Sequence, residues 1–187
     1  MRIGQSPAKR IMVIYGTRPE AIKLAPVIRA IGDSSRLSPI ITLTGQHRTI
    51  VDQVNRTFVP HVLPVRVGTW VEFPNSDNVM HQVYSISPAK RFQSPLYVGK
   101  PARPIQFDKE GVVAIGCNVH EQMSGFIVVV PTPYFGTAVN GRLTINNLGA
   151  DDYKVHVWYE GMRKEPEPRV VKLAADGTAS LAFMVTK

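Results

Sequence analysis

From Val51 onward the chain breaks into apolar or alternating runs of four to eight residues: HVLPVRVG, WVEF, QVYSI, GVVAIG, GFIVVV, RLTINNL and YKVHVWYE. The turn-forming clusters PNSDN, SPAK, NNLGADD and AADG separate them. A run this short cannot bury a helix stripe, but it suits one strand, so the spacing predicts a mainly β fold built as a sandwich or barrel. Fifteen prolines and fourteen glycines in 187 residues supply the turns such a fold needs, and 44% apolar content suffices for a core. No apolar stretch reaches the length of a membrane-spanning helix.

The first fifty residues follow another pattern. Arg10–Tyr15, RIMVIY, is continuously apolar after its basic start, as a strand buried on both faces should be. Gly16 to Glu20 turns the chain, and Ala21, Leu24, Ala25, Ile28 and Ile31 then recur at helical spacing. Gly32 stops that helix and SPIITLT reads as a second strand. A short strand–helix–strand α/β fragment is therefore expected before the β region. It also carries +6 of the +8 net charge, leaving the β region near neutrality. With no basic stripe interleaved with aromatics, nucleic acid is not an expected partner.

Four residues of the β region form a metal-ligand pattern. Cys117, His120 and Met123 lie in GCNVHEQM, a C-x-x-H-x-x-M spacing between two apolar strands, and His81 lies upstream in FPNSDNVMH. Two imidazoles, a thiolate and a weak axial thioether are the donor set of a blue-copper electron-transfer centre. Each residue alone has a plainer reading: a lone cysteine after an apolar strand is usually a small core residue. Their joint spacing and strand context favour the metal. Zinc is the competing ion, although it prefers a carboxylate, thiolate or water over a thioether. The single cysteine forms no internal disulfide and leaves the compartment undefined. Cys117 with His120 also imitates a thiol-protease dyad, but adjacent loop residues rarely present an oriented nucleophile–base pair with a third orienting group.

GTRPEAIKLAPVI followed by TGQH resembles the start of the non-hydrolysing UDP-N-acetylglucosamine 2-epimerases. That resemblance implies sugar-nucleotide contacts at Arg18, Gln46 and His47. It covers only residues 10–48, without the rest of the first Rossmann-like domain, the second domain or the groups that carry out epimerisation. Residues 1–50 are therefore expected to be a fused fragment without that activity, retaining at most UDP-sugar binding.

From GTWVEFPNSDNVMHQ to CNVHEQMSGFIVVVPTPYF the chain resembles the cupredoxins of the methylamine-utilisation and plastocyanin-like type, over about residues 51–160. Its copper loop is similar to the short loop of amicyanins. The resemblance implies a Greek-key β-sandwich, copper cycling between Cu(II) and Cu(I), and the ligands His81, Cys117, His120 and Met123. It further implies redox partners such as a dehydrogenase or cytochrome, a periplasmic location, and no enzymatic role. One position departs from the pattern: Gln82 follows His81, where many relatives have an asparagine hydrogen-bonded near the thiolate. The N-terminus does not read as a signal peptide, because its apolar run is short and no cleavage site follows. PTPYFGTAVNGRLTINNLGADDYKVHVWYEGM resembles small carboxypeptidase-regulatory-like β modules.

The expected organisation is thus a fragment at 1–50, a copper domain at 51–131 and a small β module at 132–187. His61 and His156 have no ligand-spaced neighbours and are expected to be structural; Asp151 and Asp152 read as a turn pair. Lys90, Arg91, Lys100 and Arg103 form either a rim for an acidic partner or simply a solvated face. The alternative to electron transfer is a module that stores or delivers copper without redox partners.

Overall fold

The computed structural model describes residues 9–15, 30, 33, 37–43, 49–100, 103–146, 148–175 and 177–185. Apart from Ala30, which is helical, the helix expected after Pro19 lies outside these residues, as do Arg18, Gln46 and His47. Strands β1 (Lys9–Tyr15) and β2 (Leu37–Leu43) pair in parallel, from Lys9 opposite Leu37 to Tyr15 opposite Leu43. Parallel neighbours cannot be joined by a tight hairpin.

Ten strands follow before residue 131: β3 (Thr49–Ile50), β4 (Asp52–Val54), β5 (Thr57–Val59), β6 (Val62–Arg66), β7 (Thr69–Glu72), β8 (Val83–Ser87), β9 (Lys90–Gln93), β10 (Ile105–Phe107), β11 (Gly111–Cys117) and β12 (Ser124–Val130). They make a five-stranded sheet in the order β6-β12-β11-β8-β9 and a three-stranded sheet in the order β10-β7-β3. β4 and β5 form a separate hairpin. The apolar faces of the two larger sheets meet in one core, with Val71 and Phe107 from the smaller sheet and Val65, Val83, Val113, Ile115, Ile127 and Val129 from the larger. The region is therefore a β-sandwich, one of the two forms that the short runs predict. Burying each such side chain stabilises the fold by roughly 1.5–3 kcal/mol.

Strand parity sets the site. Val113, Ile115 and Cys117 are the buried positions of β11, two residues apart, so Cys117 continues the core face at the strand's end. Val83 pairs with Cys117, and His81 lies two residues before Val83 on the same buried parity, bridged to Tyr97 ahead of β8. The antiparallel register thus brings the two residues to one end of the sandwich. His81 lies in the segment entering β8, in an isolated bridge ahead of the strand.

The chain divides into two compact units, the first ending at Pro133 and the second beginning at Tyr134. In the second, β13 (Asp151–Val155) and β14 (Arg169–Leu173) form an antiparallel pair. Three expectations are corrected here. RLTINNL forms no strand among its described residues, and takes part only in an isolated bridge between Val139 and Arg142. An alternating pattern becomes a strand only where a partner pairs with it. YKVHVWYE leaves its strand at Val155, so His156 and Trp158 lie beyond it. Asp151 and Asp152 open β13 instead of forming a turn, with Asp152 3.7 Å from the Lys172 ammonium.

Candidate metal centre

The donor atoms of His81, Cys117 and His120 converge. Cys117 Sγ lies 3.6 Å from His81 Nδ1 and 3.9 Å from His120 Nδ1, and the two Nδ1 atoms are 3.1 Å apart. Three atoms at those separations lie on a circle of radius about 2.1 Å, within the roughly 2.0–2.3 Å span of imidazole and thiolate bonds to a divalent transition ion. The residues present therefore fit one mononuclear ion. Among the described residues this is the only such grouping of His, Cys, Asp and Glu. Met123 is buried in the same core cluster as Cys117, and its amide donates to the His120 carbonyl at 3.0 Å, closing the loop into a tight turn.

Hydrogen bonds around the donors set their direction. His81 is fully buried, and its Nε2 lies 2.9 Å from Asp77 Oδ2. A carboxylate only accepts, so Nε2 carries the proton and the Nδ1 lone pair faces Cys117 and His120. Asp77 Oδ1 and Oδ2 also accept from the amides of Asn55 at 2.6 Å and Arg56 at 2.9 Å. Burial raises the Asp77 carboxyl, but the bonds from Arg56, His81 and Asn55 outweigh it and hold the group below its ordinary range. His120 is half-buried; desolvation first, then its electrostatic interactions with His81 and Arg56, push its imidazole below its ordinary range, against the pull of Asp77. A neutral imidazole is the form that binds metal.

Gln82 ties the two segments that carry the donors. Its amide nitrogen donates to the Ser94 carbonyl at 2.8 Å, its amide oxygen accepts from Asn118 Nδ2 at 2.6 Å, and its carbonyl accepts from the Asn118 amide at 3.3 Å. The departure noted in the sequence is thus a link between the residue after His81 and the residue after Cys117.

Deeper still, Asn75 donates to the carbonyls of Val79 at 2.8 Å and Tyr97 at 2.9 Å, while its side-chain oxygen accepts from the Asp77 amide at 3.0 Å. Tyr97 exchanges two backbone bonds with His81, at 3.0 and 3.1 Å. Its phenol donates to the Phe73 carbonyl and accepts from Gln53 Nε2 at 2.7 Å. Burial is the main cause raising that phenol to about 12, with the Cys117 and Asp52 charges adding and the Gln53 bond opposing.

None of Gln53, Asn75, Asp77 and Tyr97 stands out in the sequence. Asp77 sits one helical turn's spacing before His81, but outside a helix that spacing carries no signal. The other histidines lie elsewhere: His61 packs edge-on against Phe126 at 5.7 Å, and exposed His156 pairs with Glu165 at 2.9 Å. Lys90 is paired with Asp108 at 3.0 Å, which removes one free cation from the supposed rim.

The fold and donor set define a β-sandwich with a two-histidine, one-cysteine cluster at its end. No family model matches the chain. Solved structures similar to it include a reduced mutant of amicyanin (22% identity, 46% of this chain and 85% of that one, TM-score 0.42). A purple cupredoxin from Nitrosopumilus maritimus is another (26% identity, 44% and 99%, TM-score 0.38). A Cu-containing nitrite reductase from Thermus scotoductus SA-01 is a third (26% identity, 64% and 28%, TM-score 0.42). Among curated proteins, the chain is 46% identical over 50 residues to a probable UDP-N-acetylglucosamine 2-epimerase of Ralstonia solanacearum, covering 27% of this chain and 13% of that one. It is 40% identical over 55 residues to the 2-epimerase of Bacillus subtilis strain 168, covering 29% and 14%. The chain therefore spans about an eighth of the length of these relatives. The case for a metal rests on the donor triangle.

Proposed function

We propose that this chain is a mononuclear copper protein that carries single electrons and is not an enzyme. The observation that supports this most is the triangle of His81 Nδ1, Cys117 Sγ and His120 Nδ1, sized for one ion. His81, Cys117 and His120 are the equatorial ligands in this reading and Met123 the axial one, since its thioether belongs to the adjoining core. Bound copper supplies a one-electron couple, Cu(II)/Cu(I). The protein holds its donors in one arrangement through Asp77, Gln82 and Asn75, so little rearrangement accompanies electron gain or loss. His120 is the only half-exposed donor of the three, and its neighbour Val119 is exposed, as is Met80 beside His81. That apolar edge is where an electron would pass to a redox protein such as a dehydrogenase or cytochrome.

The domain limits in this reading are a fragment at 1–50, the copper domain at 51–131 and a β module at 132–187; the location is the periplasm. A visible spectrum during Cu(II) titration tests the reading. An intense thiolate-to-copper band is expected, and its loss in Cys117→Ser. Copper bound without that band overturns it. A copper store would bind the ion yet exchange no electrons reversibly with a redox protein, which cyclic voltammetry and stopped-flow mixing distinguish. The fifty residues similar to the 2-epimerases favour, as a second reading, residual UDP-sugar binding through Arg18, Gln46 and His47, tested by calorimetric titration with UDP-N-acetylglucosamine.

A further inference from the structure

We infer that Asp77 is a positioning residue that sets the reduction potential of this centre, acting through His81 from an anchorage in the β4–β5 turn. The inference deepens the copper reading and rests on it. The anchorage is an unusual turn: Val54 pairs with Thr57, and the two residues between, Asn55 and Arg56, have φ of 52° and 57°. Two successive left-handed residues make the two-residue hairpin turn that matches strand twist. Both of their amides point at one carboxylate, Asp77, at 2.6 and 2.9 Å. Consecutive amides of this kind form a concave anion cradle. The third donor to Asp77 is His81 Nε2 at 2.9 Å, and the carboxylate is only 12% exposed.

The backbone on either side is held as well. Asn75, 3% exposed, accepts from the Asp77 amide and donates to Val79 and Tyr97, and Tyr97 is paired on both sides with His81. Carboxylate and imidazole therefore sit on one hydrogen-bonded frame. Two consequences follow. The His81 proton is confined to Nε2, which presents the Nδ1 lone pair to the site. A negative charge one hydrogen bond behind a ligand imidazole strengthens it as a donor and favours Cu(II) over Cu(I). A merely structural carboxylate would affect stability and leave both the ring tautomer and the potential unchanged.

The test uses the full chain, wild type beside Asp77→Asn, Asp77→Ser and Asp108→Asn. Asp108 loses the same charge but pairs with Lys90 on the surface, so its variant reports the effect of net charge alone. Spectroelectrochemistry of the copper-loaded proteins should show the Cu(II)/Cu(I) ratio at a fixed applied potential falling about tenfold in both Asp77 variants, a rise of about 59 mV for a one-electron couple. A change no larger than that of Asp108→Asn overturns the inference while leaving the copper centre intact. Nitrogen-15 shifts of the His81 ring in the metal-free proteins give an independent reading. The wild type should be the Nε2–H tautomer and Asp77→Ser a mixture; an unchanged tautomer in Asp77→Ser overturns the positioning role even if the variant loads copper poorly. A wild type without the thiolate–copper band defeats the copper reading and the potential-setting role together, and the tautomer still decides how His81 is positioned.

Discussion

Tyr97→Phe isolates the hydrogen-bonded frame beneath the site. The substitution keeps the ring and removes one oxygen, which donates to the Phe73 carbonyl and accepts from Gln53 Nε2. Gln53 is fully buried, its Oε1 has no partner among the described residues, and Nε2 keeps the Pro74 carbonyl at 3.1 Å. Losing a buried bond with its partners left behind costs about 1–3 kcal/mol. The phenol itself supplies an independent check. It ionises at 10 in a free chain and at about 12 here, because burial disfavours the anion. Between those values the unfolded chain has lost the proton and the folded chain keeps it. This stabilisation is fully present below pH 10 and is lost as pH rises through about 12.

The difference corresponds to at most about 2.7 kcal/mol, which solvent access to the half-buried ring reduces to roughly 1–2 kcal/mol. Urea unfolding of both proteins, from neutral pH to about pH 12, measures both effects. Tyr97→Phe should be less stable by about 1–3 kcal/mol at neutral pH, and the gap should narrow as the wild type's phenol ionises on unfolding. A neutral-pH loss under about 0.5 kcal/mol, or curves that stay parallel throughout, would refute the account.

Three further outcomes are expected. Gly116→Ala places a Cβ 3.0 Å from the Tyr84 ring, next to Cys117, and should destabilise by about 1–3 kcal/mol; adding Tyr84→Ala should recover part of that loss in a double-mutant cycle of unfolding free energies. Asn75→Ala removes the side-chain bonds to the Val79 carbonyl and the Asp77 amide and one of the two bonds to the Tyr97 carbonyl, which keeps the His81 amide, so unfolding free energy should fall by about 1–3 kcal/mol and copper affinity should drop with it. In the metal-free protein, an NMR titration of His120 should give a midpoint below 6.5. Its depressed value means that the associated stability is present above the unfolded value and is lost as pH falls through the folded one; a midpoint at or above 6.5 contradicts the surroundings described here.

The strands flanking the Cys117–Met123 loop were legible because β11 and β12 are long apolar runs whose parity alone sends Val113, Ile115 and Cys117 inward. RLTINNL shows the limit of the same rule, since its alternation met no partner strand. The hairpin of β4 and β5 escaped notice because its turn, Asn-Arg, lacks the glycine that usually marks two left-handed residues.

The candidate donor set is written in one dimension. Cys117, His120 and Met123 fall within seven consecutive residues, so short chain length alone confines them, and their chemical types select the metal class. His81 could be named as a donor but not placed. Its distance from Cys117 depends on the register of β8 against β11, a choice made by packing across the sandwich. Everything that directs the donors is tertiary in the same way. Asp77 is held by a turn more than twenty residues earlier, Tyr97 by Gln53 and Phe73, and Asn118 by Gln82. Side-chain type and local spacing are properties of a sequence, whereas the direction of a lone pair is set by groups distant along the chain, which only the folded backbone brings within hydrogen-bonding reach.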